Sequence, residues 1–101
     1  MKTFKHPRTE KKLKQQVCEL LDEAGAWYFM PVPTGMQKAT LDFLGCYTGR
    51  FFAIETKSPG GQPTERQVLA MAFIKSRGGF WCWGDNIDHI RTCFNVWAST
   101  L

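Results

Sequence analysis

The chain of 101 residues lacks the sequence features of several protein classes. It contains two histidines and four cysteines without any C-x-x-C pair, so we expect no zinc site. It has no apolar run long enough to span a bilayer, and its start, Met-Lys-Thr-Phe-Lys, leads into no apolar signal core. We therefore expect a cytoplasmic protein without membrane association and with buried free thiols. The cysteines are Cys18, Cys46, Cys82 and Cys93.

Acidic residues are fewer than basic ones, and the net charge is +4. Such a balance favours polyanionic partners without identifying one. The excess is concentrated at the N-terminus, where Glu10 is the only acid among six basic residues: Lys2, Lys5, Arg8, Lys11, Lys12 and Lys14. Two interpretations stay open, a solvated flexible arm over residues 1–8 or a patch in which Lys11, Lys12 and Lys14 contact phosphates.

The spacing of apolar residues and turn signals predicts one domain over residues 1–101, with seven elements in the order α-β-β-β-α-β-α. They are helix 9–24, strands 27–30, 41–46 and 50–57, helix 64–76, strand 80–83 and a last helix from Asp85 or Asn86 to Ala98. Residues 34–40 and 58–63 are expected to form loops. This order favours an α/β fold with a central mixed β-sheet flanked by helices.

The second predicted helix has two local features. Thr64 and Gln67 have the spacing of a capping box, in which each side chain meets the other residue's backbone N–H. Val68, Met71, Ala72 and Ile74/Lys75 are expected to form an apolar stripe along it.

Two carboxylates and a lysine interrupt the most apolar part of the sequence, LDFLGCYTGRFFAIETK. Strand alternation places Ala53, Glu55 and Lys57 on one sheet face, and the short hairpin connection brings Asp42 near them. Buried charges must be paired, bind a metal or reach water. The pattern is therefore open to an ordinary ion pair or to a site for a hard divalent cation, with the Thr56 carbonyl as a third ligand.

A cation site of this kind suits metal-assisted hydrolysis of a phosphodiester. A bound metal lowers the pKa of a water molecule and offsets charge on the phosphoryl oxygens. Lys57 could orient that water or stabilise the transition state as a point charge.

The D-x12-E-x-K pattern of Asp42, Glu55 and Lys57 resembles the PD-(D/E)XK nuclease superfamily. With its flanking residues, the run DFLGCYTGRFFAIETKSPGGQPTERQ is most similar to the small stand-alone VRR-NUC (virus-type replication-repair nuclease) proteins of phages and bacteria. The resemblance covers nearly the whole chain and implies a restriction-endonuclease-like fold. One position departs from the family pattern, because Leu41 stands where proline often precedes the aspartate.

The resemblance implies a role for each site residue. Asp42 and Glu55 become ligands of Mg²⁺ or Mn²⁺, Lys57 the catalytic lysine and Gln67 the active-site glutamine. The alternative role for Gln67 is the capping box, and we do not expect one side chain to fill both roles fully.

The resemblance also suggests roles for charged residues outside the D-x12-E-x-K pattern. Glu10 is the expected further contributor to the metal site, with Glu19 in reserve, although either glutamate could be a solvated helix residue. Lys38 is expected to contact a phosphate or to be a free surface lysine.

The resemblance further implies a structure-selective DNA endonuclease that cuts branched DNA such as Holliday junctions. It would act in DNA repair as a homodimer, without a small-molecule cofactor, in the cytoplasm of a bacterium or a phage-infected bacterial cell. Flap DNA, nicked DNA or RNA as substrate, or a catalytically silent DNA-binding module, remain alternatives. The aromatic residues expected either at a dimer interface or in the core are Phe80, Trp81, Trp83, Phe94 and Trp97.

Overall fold

The computed structural model describes residues 7–32 and 41–101, so the predicted loop 34–40 and Lys38 lie outside the described residues. Its elements are α1 (Pro7–Ala24), β1 (Trp27–Phe29), β2 (Phe43–Tyr47), β3 (Arg50–Thr56), α2 (Glu65–Ser76), β4 (Phe80–Gly84) and α3 (Ile87–Ala98). The sheet order is β1-β2-β3-β4, antiparallel except for the parallel pair β3–β4. The predicted element order and mixed sheet are therefore confirmed. None of the described helices is long and apolar enough to cross a membrane.

Local sequence signals explain where these elements begin and end. The chain leaves α1 through Gly25, whose φ of 77° belongs to the left-handed region that glycine tolerates. The Thr64 hydroxyl and the Gln67 side chain form the predicted capping box at the start of α2. The Asn86 side chain caps α3 by accepting the His89 N–H at 2.9 Å.

A tight hairpin fixes the register of β2 and β3. Thr48 and Gly49 have φ angles of 47° and 80°, as a two-residue type I′ turn requires. Tyr47 consequently pairs with Arg50, and the register continues to Phe43 opposite Ile54. This register determines which residues meet at the far end of the hairpin.

The two faces of the sheet are covered unequally. The first face carries the main core, against which α1 and α3 pack, and its fully buried members include Val17, Leu21, Phe43, Phe52, Ile54, Ile90 and Phe94. The second face carries a smaller cluster of Leu41, Ala53 and Met71, with Leu44, Ile74, Trp81 and Trp83 packed against it. Among the described helices, α2 alone contributes residues to this second cluster.

The predicted apolar stripe of α2 is partly wrong. Met71 is buried and Ile74 half-buried, but Val68 is 52% exposed and Ala72 is exposed as well. The helix rests on the sheet through positions spaced three and four apart, Gln67, Met71 and Ile74, which form one helical face. Val68 and Ala72 lie on a neighbouring face, because one residue corresponds to about 100° of rotation.

Candidate active site

Three charged residues meet at the end of the β2–β3 hairpin that lies opposite its turn. Asp42 directly precedes β2, Glu55 lies in β3 and Lys57 directly follows β3. Because Phe43 pairs with Ile54, Asp42 comes beside Glu55 although the two are 13 positions apart along the chain. Glu55 is 3% exposed, whereas the side chains of Lys57 and Asp42 are 13% and 23% exposed. The site thus has a buried floor and an opening to solvent.

Hydrogen bonds from β3 and from the chain before β2 orient the two carboxylates. The backbone N–H of Asp42 donates to Glu55 Oε1 at 2.9 Å. The backbone N–H and the hydroxyl of Thr56 donate to Asp42 Oδ2 at 3.0 and 2.6 Å. Both carboxylates are therefore held in fixed orientations, as charged acceptors with short hydrogen bonds are.

Two further side chains converge on the other oxygen of Glu55. Lys57 Nζ lies 3.3 Å from Glu55 Oε2, and Gln67 Nε2 donates to the same oxygen at 2.8 Å. Gln67 Oε1 meanwhile accepts the backbone N–H of Thr64 at 2.9 Å and completes the capping box. Gln67 makes the capping contact and the Glu55 contact at the same time, because its amide has a separate donor and acceptor. The capping box instead aims the Gln67 amide nitrogen at the carboxylate.

The surroundings of Glu55 raise its pKa. Burial in the sheet is the largest cause, and the nearby negative charge of Asp42 is the second. Lys57 and the hydrogen bond from the Asp42 backbone oppose the shift, and the net result is a pKa of about 7. This carboxyl therefore keeps its proton to a higher pH than an exposed glutamate does, and additional positive charge in the site would favour its ionised form.

The donor atoms in the site suit a hard divalent cation. The Lys57 N–H donates to Gly84 on one side of β3, and the Thr56 N–H donates to Asp42 on the other. A residue in an extended strand directs its N–H and C=O to the same side, so the Thr56 carbonyl also faces the Asp42 side. Within residues 7–32 and 41–101, no three His, Cys, Asp or Glu side chains could hold a metal together. Two carboxylates, one carbonyl and waters are nevertheless an ordinary ligand set for Mg²⁺.

Helix α1 reaches the site through Lys14. Its Nζ lies 3.9 Å from Asp42 Oδ1, with the Lys14 side chain 34% exposed. Glu10 precedes Lys14 by one helical turn and so shares its side of the helix, where it is half-buried. Glu19 is exposed and lies more than one turn beyond Lys14 in the other direction. Of the two glutamates considered as further metal ligands, Glu10 is therefore the one on the same side of α1 as Lys14.

The structure also shows features that sequence reasoning missed. The Thr56 hydroxyl contacts Asp42, although only the Thr56 carbonyl was predicted to take part. Lys14 was predicted only as a phosphate contact, but it approaches a site carboxylate. The sequence feature that could have indicated this is the spacing of four residues between Glu10 and Lys14, which places both side chains on one side of α1. Lys11 and Lys12, the other predicted phosphate contacts within the described residues, are exposed on α1.

Comparison with known proteins supports the fold assignment. No protein-family model and no curated protein matches the chain. Eight chains of solved structures match. One of them, described as a "VRR_NUC domain", superposes with a TM-score of 0.70 over 86% of this chain and 95% of its own length, at 17% sequence identity. The two chains therefore share a fold, as the sequence resemblance implied.

Proposed function

We propose that this chain is a divalent-metal-dependent DNA endonuclease of the VRR-NUC family. The observation that carries the proposal is the convergence of Asp42, Lys57 and Gln67 on the buried Glu55 carboxylate. This cluster lies at an open end of the sheet, in a chain with the fold of a VRR_NUC domain. An ordinary ion pair would require neither a second carboxylate nor an aimed amide.

The residues that would hold a Mg²⁺ or Mn²⁺ ion are Asp42, Glu55 and the carbonyl of Thr56. Glu10 stays a proposed further contributor, although in the described structure it forms no three-carboxylate cluster with Asp42 and Glu55. When bound, such an ion supplies positive charge to the phosphoryl oxygens and lowers the pKa of a water molecule. The Asp42 and Glu55 carboxylates are suited to this because protein hydrogen bonds already fix their orientations.

The remaining residues bind, orient and stabilise the reacting groups. Lys57 is the catalytic lysine, and its ammonium, partly open to solvent, orients the attacking water or offsets charge in the transition state. Gln67 holds the Glu55 carboxylate through its amide nitrogen, and Thr64 holds Gln67 in turn. An N–H donor here stabilises the ionised form of Glu55, which is the form that binds a cation.

The substrate we propose is branched DNA, with the four-way junction as its representative. The net charge of +4 favours a polyanion, and Lys11, Lys12 and Lys14 lie on the helix that borders the site. Lys38 is proposed as a further phosphate contact. A homodimer would supply two active sites for the two strands that must be cut, in the cytoplasm of a bacterial or phage-infected cell.

A cleavage assay over several substrates tests this proposal. Labelled four-way junction, flap, linear duplex, single-stranded DNA and RNA are incubated with the protein in Mg²⁺, Mn²⁺ or EDTA. We expect metal-dependent cutting that is strongest on the junction and falls roughly 100-fold or more in Lys57→Ala. Lys75→Ala removes an exposed lysine of α2 and is the matched control.

The other possible outcomes of this assay separate the mechanism from the choice of substrate. Cleavage that persists in EDTA or in Lys57→Ala contradicts the mechanism. Metal-dependent cutting of flaps or RNA in preference to junctions keeps the mechanism and replaces the substrate. Tight junction binding without cleavage in either metal favours the silent DNA-binding module.

A further inference from the structure

The second face of the sheet carries apolar side chains in rows across the strands. The register places Trp27 opposite Cys46 and Cys46 opposite Phe51. The next row begins with Phe29 opposite Leu44. Side chains on one face at neighbouring strand positions lie about 5 Å apart, so these rows form one continuous apolar surface.

Much of this surface is uncovered by the described parts of the chain. Trp27, Phe29 and Phe51 are 64%, 46% and 43% exposed, and Cys46 is exposed between them. Helix α2 extends the surface with two side chains one turn apart, Leu69 at 68% and Phe73 at 61% exposed. The helix and sheet parts are continuous, because Phe51 and Phe73 line one shallow cavity of about 210 Å³. We call these six residues the open face.

We propose that the open face is the surface on which a second copy of this chain packs across a two-fold axis. A two-fold interface uses the same patch on both copies, so a self-complementary apolar patch is all that it requires. Large exposed apolar patches on otherwise polar proteins mark interaction sites. The inference identifies the surface for the homodimer of the proposed function, and its catalytic consequence rests on that function.

The size of the open face is sufficient for a dimer. Four aromatic side chains, each of roughly 150–250 Å² when fully exposed, are about half exposed here, and Leu69 and Cys46 add to them. The patch therefore offers roughly 500 Å² per copy, or roughly 1,000 Å² for the pair, which reaches the lower bound for a specific interface. None of the six side chains is charged, and Arg77, whose guanidinium lies 4.6 Å from the Phe73 ring centroid, borders them in the shared cavity. DNA fits this surface less well than a second copy does, because DNA affinity depends mainly on several phosphate contacts.

The position of the open face leaves the active site accessible. Cys46 and Asp42 lie on the same side of the β2 segment and are four residues apart, which is roughly 13 Å along an extended chain. The row of Phe29 and Leu44 lies between them. On the sheet, the open face therefore ends at the row of Phe29, one row short of Asp42. A partner seated on it would leave the carboxylate cluster of each copy free for substrate.

The aromatic residues expected at an interface from sequence lie elsewhere. Phe94 is 1% exposed in the main core, and Phe80 stacks on Trp97 with their ring centroids 4.6 Å apart. Trp81 and Trp83 pack with the smaller cluster under α2. Core packing, the alternative given for these residues, therefore accounts for them, and the proposed interface uses other aromatic residues, Trp27, Phe29, Phe51 and Phe73.

The test measures mass by light scattering after gel filtration, at about 5 and 200 μM protein. We expect twice the 11.6 kDa chain mass for the wild type at the higher concentration and a single chain mass for Leu69→Glu/Phe73→Glu. Val96→Glu is the matched control, because Val96 is an apolar residue of α3 that is 62% exposed outside the open face. A monomeric wild type at 200 μM, or a dimer that survives the double substitution, overturns the inference.

Thiol labelling provides a second readout that needs no substitution. Cys46 should react with iodoacetamide at least fivefold more slowly at 200 μM than at 5 μM protein, as followed by peptide mass spectrometry. An unchanged Cys46 rate in a dimeric protein places the interface elsewhere and overturns the inference. Mass and labelling require no catalysis, so the two proposals can fail separately. A dimer that cuts no DNA refutes the proposed function and leaves the interface standing. A monomer that cuts DNA refutes the interface and leaves the nuclease activity standing.

Discussion

The raised pKa of Glu55 predicts that the metal-free protein loses stability as the pH rises toward neutrality. Below about 4.5, the ordinary value for this carboxyl, both the folded and unfolded chains carry the proton. Between 4.5 and about 7 the unfolded chain has released the proton while the folded chain still holds it. The unfolding free energy contributed by Glu55 therefore falls through this window and is constant above it.

The size of this effect follows from the pKa difference. A folded-state pKa of about 7 against 4.5 corresponds to about 3 kcal/mol without screening. The site opens to solvent through Asp42 and Lys57, so screening reduces the expected loss to roughly 1–3 kcal/mol.

Urea unfolding in EDTA between pH 4.5 and 8.5, followed by the fluorescence of the four tryptophans, measures this loss. Glu55→Gln removes the titrating group, so its stability relative to the wild type should rise by roughly 1–3 kcal/mol from pH 4.5 to 7 and then level off. Glu19→Gln changes an exposed glutamate of α1 and should run parallel to the wild type throughout. A Glu55→Gln curve that is also parallel to the wild type would refute the assigned environment of Glu55.

Three further predictions concern the site and the sheet beneath it. Adding Mg²⁺ should raise the melting temperature at pH 8 but hardly at pH 5, because a proton competes with the cation, and Asp42→Asn should abolish the rise. Gln67→Ala and Thr64→Ala should each lower the free energy of unfolding by about 1 kcal/mol, because each removes part of the capping box. Gln67→Ala should also slow cleavage, whereas Thr64→Ala should not, because the donor to the Glu55 carboxylate is the Gln67 amide. Gly45→Ala should cost roughly 2 kcal/mol or more in urea unfolding, since a Cβ there would overlap the Phe52 ring and the β1 backbone; a loss below 0.5 kcal/mol would contradict the tight strand packing.

The sequence predicted those parts of the site that depend on local geometry. Strand alternation correctly placed Glu55 and Lys57 on one face, because side chains along a strand have a period of two whatever surrounds them. The two-residue hairpin turn set the register that brings Asp42 beside Glu55. The capping box at Thr64 likewise needs only four consecutive residues.

Other parts of the site depend on how separate elements pack, which local pattern does not show. The family resemblance, and not local geometry, pointed to Gln67, which meets Glu55 because α2 lies on the second sheet face. The contact of Lys14 with Asp42 was missed, because it depends on α1 lying near the same end of the sheet. The exposure of Val68 and of the open face follows from the narrow contact of α2 with that sheet face. Apolar periodicity identifies surfaces suited to burial, but it does not show which of them the rest of the chain covers.

The most direct test of the central claim is the single-turnover rate at which wild-type and Asp42→Asn protein cleave a labelled four-way junction in Mg²⁺ at pH 8. The asparagine oxygen can still accept the two Thr56 hydrogen bonds, so the fold should persist while the negative charge is lost. The proposed site predicts a rate at least roughly 100-fold lower for Asp42→Asn, with an unchanged circular dichroism spectrum. Equal rates for the two proteins would show that the cluster around Glu55 is not the active site.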